Sequence, residues 1–210
     1  NIARITLTDF VNHFGNDGAS PYLPVVRSTD EGVEAAGTAL LDQQGQLLAV
    51  LDEKTTRGAL YLLGDFDRGL ETVILPDDAR LTAELHDLKT DIAASVQGGA
   101  PTFSISIRCA ADIGALDTGM DTRYGEAAYA VMEQTLAQEI QKEAQTALDL
   151  CLGEYGADIF LLGRRLHQAN PKEWEQYAAQ WPQAVSQAEI SVQAKVEIAR
   201  VGQEDTPAIE

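Results

Sequence analysis

Three histidines, two cysteines, two tryptophans and a handful of aspartates are the side chains in this sequence best suited to chemistry. Their spacing argues against most of it. His13, His86 and His167 are isolated from one another, so none forms the close pair that a metal-binding helix needs. Each is read as a surface or partly buried histidine. Cys109 and Cys151 have no partner at zinc-ligand spacing. Both fall on apolar stripes, which makes them small buried hydrophobes, although a disulfide between them stays open. Asp65 and Asp67, with Asp77 and Asp78 nearby, could suggest a calcium loop or an acid/base pair. They do not match the twelve-residue calcium loop, which closes on a glutamate, and solvated turn carboxylates are the simpler reading. No nucleophile elbow and no phosphate loop is present. A hydrolase would require His86, Asp87 and another carboxylate to converge in a cleft, and the sequence gives no reason to expect it. The expectation is therefore no catalytic residue, no metal site and no cofactor.

Composition sets the frame. A chain of 210 residues with 45% apolar residues can bury a substantial core. Against 15 basic residues stand 33 acidic ones, a formal charge of −18. A field of that sign repels phosphate backbones and anionic lipid headgroups, which argues against nucleic-acid binding and electrostatic membrane docking. No run approaches the ~20 apolar residues needed to cross a bilayer. The chain opens on Asn1, without a signal peptide or a lipid-attachment cysteine. This is read as an excised or processed chain whose targeting segment lies upstream.

Periodicity supplies the elements. In Thr102–Ile113 the odd positions Phe103, Ile105, Ile107, Cys109, Ala111 and Ile113 are apolar, and Ile190–Ile198 alternates in the same way. Both are half-buried strands, which favours an antiparallel or mixed sheet with one wet face. Between them a helix is expected from about Tyr124 to Gly153, its stripe running through Ala128, Met132, Leu136, Ile140, Ala144, Ala147, Cys151 and Tyr155. A second helix is expected near Asp158, and another from Pro171. Trp174 and Trp181, seven residues apart, share a face if that helix continues, and suit packing better than a ligand clamp.

Toward the N-terminus, Thr6–Phe14 reads as a short helix and Asn16–Asp30 as a loop marking a boundary. Gly32–Asp42, Leu47–Leu51 and Gly69–Leu75 read as strands, with a helix over Glu53–Leu63 capped by Asp52 and stopped by Gly64. From Arg80 to Val96 the apolar positions switch from odd to even, which predicts a bulge near Asp87. The fold class is α+β: an antiparallel or mixed sheet covered on one face by a long amphipathic helix and shorter helices. Residues 1–30 are read as a short N-terminal segment that could close a preceding domain, 31–202 as the domain and 203–210 as a flexible tail.

One block is more specific than the rest: Asp158-Ile-Phe, Gly163-Arg, Pro171-Lys-Glu-Trp174, then the alternating strand to Gly202. With Gly37-Thr-Ala-Leu-Leu-Asp and the Glu53 helix upstream, it resembles the C-terminal region of the Ger(x)C family, the lipoprotein C subunits of nutrient germinant receptors in endospore-forming bacteria. The corresponding aromatic of the Glu53 helix is Tyr61 here, where the family often carries a tryptophan. The resemblance implies a non-enzymatic receptor subunit acting in spore germination beside germinant receptor A and B subunits. It implies residence at the outer face of the spore inner membrane through an upstream lipid anchor. It carries over no catalytic residue; Asp158, Gly163, Trp174 and Gly202 are expected to act as fold determinants. The alternative is an exported module binding a nutrient or cell-wall fragment, which needs a pocket with converging polar groups.

Overall fold

A computed structural model of the chain describes residues 3–14, 17–30, 32–117 and 125–199. The expected tail at 203–210 and Gly202 lie outside the described residues. Among the described residues seven strands form two sheets. The smaller is an antiparallel sheet of β1 (Tyr22–Thr29), β2 (Gly32–Leu41) and β3 (Leu47–Leu51) in that order. The larger contains β4 (Arg68–Ile74), β5 (Arg80–Gln97), β6 (Ala100–Asp117) and β7 (Glu189–Ile198), also in that order. Its first three strands are an antiparallel meander, and β7 joins β6 in parallel. That parallel pairing requires a long crossover. The crossover consists of α3 (Glu126–Leu148), α4 (Leu162–Ala169), α5 (Pro171–Tyr177) and α6 (Trp181–Ser186). Two helices, α1 (Leu7–His13) and α2 (Glu53–Leu63), come earlier among the described residues. The α+β class with a mixed sheet under a long helix is therefore what the chain adopts.

Local chemistry explains most boundaries. Thr6 and Asp9 form a reciprocal capping box at α1. The Asp52 carboxylate accepts from the Thr55 N–H at 2.8 Å, and Gly64, at φ 72°, ends α2 in the left-handed conformation. Along α3, Met132, Leu136, Ile140, Ala144 and Ala147 are buried as the stripe predicts. The regular helix ends at Leu148, short of the expected Gly153, and residues 149–154 widen into a π-helical turn that carries the buried Cys151. The expected bulge in β5 is present. Register shifts between His86 and Lys89, where Asp87 sits at φ 52°, and buried positions move from Leu85 to Leu88.

Three sequence expectations are corrected. The supposed loop at Asn16–Asp30 contains β1, concealed by Pro24; proline is tolerated because β1 is an edge strand. The helix expected near Asp158 starts at Leu162, and Asp158 instead supplies its buried carboxylate to the first turn. Trp174 and Trp181 do not share one continuous helix, since a 3-10 turn at Ala178–Gln180 separates α5 from α6. Both indoles are nevertheless buried, in T-shaped contact at 4.9 Å.

α2 and α3 cross at close range. A Cβ at Gly58 would lie 2.2 Å from the Glu143 carbonyl oxygen, so the contact excludes any side chain there. Beside it lies a charged cluster. Arg57 Nε donates to Glu143 Oε2 at 2.8 Å, and its Nη2 donates to Glu143 Oε1. Nη2 also lies 3.0 Å from Glu71 Oε2 on β4, an ion-pair distance without hydrogen-bond geometry. Glu71 and Glu143 are 4% and 1% exposed, so one guanidinium serves two buried carboxylates. Burial, reinforced by Glu143, pushes the Glu71 carboxyl above the usual range. The native state thus holds the Glu71 proton more tightly than the unfolded chain, and its contribution to stability falls as pH rises through the carboxylate range toward the folded pKa. Glu71→Gln is expected to raise Tm at pH 7, with the gap closing toward pH 4. A lower Tm for the variant in thermal melts at pH 7 would show the ionised form to be net favourable.

Candidate functional site

Strand alternation leaves the larger sheet with one face under the helices and the other open. Ser104, Ser106, Arg108 and Asp112 of β6 are exposed, as are Ser191, Gln193, Lys195 and Glu197 of β7. On this open face the register sets Lys89 opposite Arg108, and Arg108 opposite Lys195. Three cations therefore lie side by side across three strands, in a chain that has only 15 lysines and arginines. Like charges directly opposite one another destabilise a sheet, so local folding does not favour this row. Two of the three are partly offset. Arg108 Nη2 is 2.6 Å from Asp91 Oδ2, and Lys195 Nζ is 2.6 Å from Glu197 Oε1. Lys89 has no ion pair among the described residues. The row borders a groove of about 470 Å³, which Asp87 and Glu197 also line. Such an arrangement can hold the carboxylates of an approaching protein.

At the same bulge, the structure brings His86 between two carboxylates. Its Nδ1 is 2.9 Å from Asp87 Oδ2, and its Nε2 is 3.3 Å from Asp112 Oδ2 without hydrogen-bond geometry. The convergence that a hydrolase would require is thus present in part. The chemistry does not follow from it. A general base needs one ring nitrogen within reach of a substrate proton. Here both nitrogens face aspartates, and Nε2 is shut off from solvent. His86 therefore bridges β5 and β6 rather than meeting a substrate.

The other singled-out residues are dispersed. His167 Nδ1 lies 2.9 Å from Asp17 Oδ2, and its ring stacks on Trp174 at 5.8 Å. His13 is 8% exposed and packs against Tyr22. Asp67 pairs with Arg4 at 2.8 Å, whereas Asp77 and Asp78 occupy the separate β4–β5 turn. Cys109 and Cys151 are free and buried, and burial pushes both thiols up to about 12. They are inert at neutral pH.

Asp158 and Gly163 act structurally. The fully buried Asp158 carboxylate accepts from Leu162 N at 3.0 Å, Gly163 N at 2.8 Å and Trp181 Nε1 at 3.0 Å. A Cβ on Gly163 would sit 2.1 Å from the Asp17 carbonyl oxygen. Sequence reasoning missed the cationic row and the Arg57 cluster. The only available signal was a lysine or arginine recurring on the wet side of strands whose pairing was unknown.

A model of the family described as "Spore germination B3/ GerAC like, C-terminal" matches residues 36–202. The "Spore germination protein YndF" of Bacillus subtilis (strain 168) is 23% identical over 199 residues, which take in 89% of this chain and 46% of YndF. Among solved structures, the crystal structure of the GerBC protein aligns with a TM-score of 0.81 at 17% identity, over 93% of this chain and 61% of that one. The chain spans about half the length of its curated relative, and the likeness to GerBC is one of fold.

Proposed function

The chain belongs to the spore germination B3/GerAC-like family through its C-terminal domain, and we propose that it serves as a non-enzymatic subunit of a spore nutrient germinant receptor. In this reading it works by contact with the receptor's A and B subunits at the outer face of the spore inner membrane, held there by a lipid anchor upstream of Asn1. Among the described residues no helix is long and apolar enough to cross a membrane. Residues 31–202 are the domain proper in this proposal. Residues 1–30 are, in the same proposal, a short N-terminal segment that could close a preceding domain, and its strand β1 pairs with β2.

The observation that carries the proposal is the open sheet face with Lys89, Arg108 and Lys195 in register. A protein with a formal charge of −18 repels acidic partners over most of its surface, so a cationic row is where an acidic segment of another subunit can approach. The test is the triple variant Lys89→Glu/Arg108→Glu/Lys195→Glu, expressed in spores and checked for normal abundance. Nutrient-triggered germination is expected to slow about tenfold or more, with less partner subunit co-purified, while germination by calcium dipicolinate is unchanged. Wild-type nutrient response in the variant would remove this face from the receptor's contacts. The alternative reading, an exported small-molecule-binding module, is favoured by one separate cavity beside α1.

A further inference from the structure

Unpaired backbone at the edge of a sheet invites a further strand unless something blocks it. In the smaller sheet both edges are blunted. β1 carries Pro24 and a register shift after Val25, and β3 is five residues long and shifts register against β2. In the larger sheet β4 is unbroken, but its one cation, Arg68, is already paired with Glu84. β7 is different. It runs ten residues with no proline and no register shift, and among the described residues no strand lies on its outer side.

The direction of its backbone groups follows from two hydrogen bonds. Ala199 N–H donates to the Ala111 carbonyl across the ladder at 3.0 Å, so the Ile198 N–H beside it points outward, where it meets Glu133 Oε1 of α3 at 3.0 Å. Alternation turns the N–H groups of Ile190, Val192, Ala194 and Val196 the same way. None of these four has an outward partner among the described residues. The side chains say what kind of strand fits. On the helix side Ile190 and Ala194 are only half-buried, so an added strand gains by placing apolar residues there. On the open side Lys195 stands at the edge, with Arg108 behind it and Lys89 behind that. Glu189 and Glu197, at the two ends of this open side, repel acidic side chains, so acidic residues belong near the middle.

We propose that β7 is a docking edge: an extended segment of a partner subunit joins the four-stranded sheet, with acidic residues beside Lys195 and apolar residues over Ile190 and Ala194. The acidic character of the occupant rests on the receptor-contact reading above, and the edge adds main-chain pairing to it.

The probe is a capped peptide, Ser-Val-Ser-Val-Glu-Val-Glu-Val-Ser, labelled for fluorescence anisotropy and titrated with the purified protein. It is expected to bind with a Kd of about 100 μM or tighter, and its counterpart with glutamines for glutamates about tenfold more weakly. Two N-methylated forms separate strand pairing from charge alone, since both keep the glutamates. One blocks the amides of the two central valines, the other those of the two glutamates. Only amides that face β7 lose a bond, so one form should weaken about tenfold and the other stay close to the parent. Loss on the valines means an antiparallel strand, because directly paired residues then share the helix side; loss on the glutamates means a parallel one. In the protein, Ala194→Pro removes an outward N–H that β6 does not use, so it should melt near the wild type and bind about tenfold more weakly. Should that variant unfold, the methylated pair still decides. No binding of the parent peptide, equal binding of the two methylated forms, or full binding by a folded Ala194→Pro would each overturn strand addition. None of these results touches the charge-reversal test in spores, because an acidic segment can meet the cationic row without joining the sheet. A wild-type nutrient response in the charge-reversed spores, in turn, removes the receptor contact and leaves the peptide result standing.

Discussion

Arg57→Ala is expected to cost about 3–5 kcal/mol of folding stability, read as a drop in the urea midpoint at unchanged slope. The guanidinium is the bidentate partner of Glu143, a carboxylate 1% exposed between α2 and α3. Removing it leaves Glu143 buried against Glu71, with Lys54 Nζ at 3.5 Å as the remaining nearby cation. Breaking a buried pair from one side exposes the desolvation cost of the other charge, which is larger than the net worth of the intact pair. The same logic predicts a contrast. Arg57→Met combined with Glu143→Leu removes both charges and should restore most of the loss, because a buried pair is often no more stable than apolar residues of similar volume. Arg57→Lys should fall between, since an ammonium cannot reproduce the two-pronged contact. A loss below about 1 kcal/mol for Arg57→Ala would mean that water or Lys54 reaches Glu143 easily and that the cluster is not closed.

That cluster also shows where sequence reading ends. The stripe on α3 was legible because each member obeys a local rule, apolar at three- and four-residue steps. Glu143 lies beside that stripe, next to Ala144, and looks like one more surface glutamate. What buries it is Gly58, 85 residues earlier, which lets α2 approach until its Arg57 reaches across. Long-range partners of this kind leave no periodic trace. β1 was hidden for a different reason. Pro24 reads as a loop residue until the strand is known to lie at an edge, where a missing N–H costs nothing.

The bulge near Asp87 was legible, as a change in which alternate residues are apolar, but its consequence was not. Only the register across the bulge sets Lys89 against Arg108 and His86 against Ala110, two residues from Asp112. The candidate contact surface therefore depends on one extra residue in one strand. Without the bulge, Lys89 would point to the other face, since a one-residue slip reverses every side chain that follows.

Asp158→Ala is the second large effect expected, about 3–5 kcal/mol from three donors left without an acceptor at roughly 1–3 kcal/mol each, partly relieved by water. The donors come from two places: the backbone N–H groups of Leu162 and Gly163 at the start of α4, and the indole of Trp181 at the start of α6. Trp181 in turn contacts Trp174 and Phe103 of β6, so a single carboxylate ties the crossover helices to the sheet. Asp158→Asn should cost less. Its one oxygen can still serve Gly163 and Trp181, while its amide faces the Leu162 N–H as a second donor. Urea melts followed by tryptophan fluorescence measure both variants, and an alanine variant within about 1 kcal/mol of wild type would remove Asp158 from the set of fold determinants. In spores the two kinds of substitution should part company. Asp158→Ala acts through the folded fraction, so germination should fall in step with the amount of protein present. Charge reversal at Lys89, Arg108 and Lys195 should leave abundance unchanged and still slow the nutrient response, because solvent-exposed side chains on an open sheet face contribute little to folding.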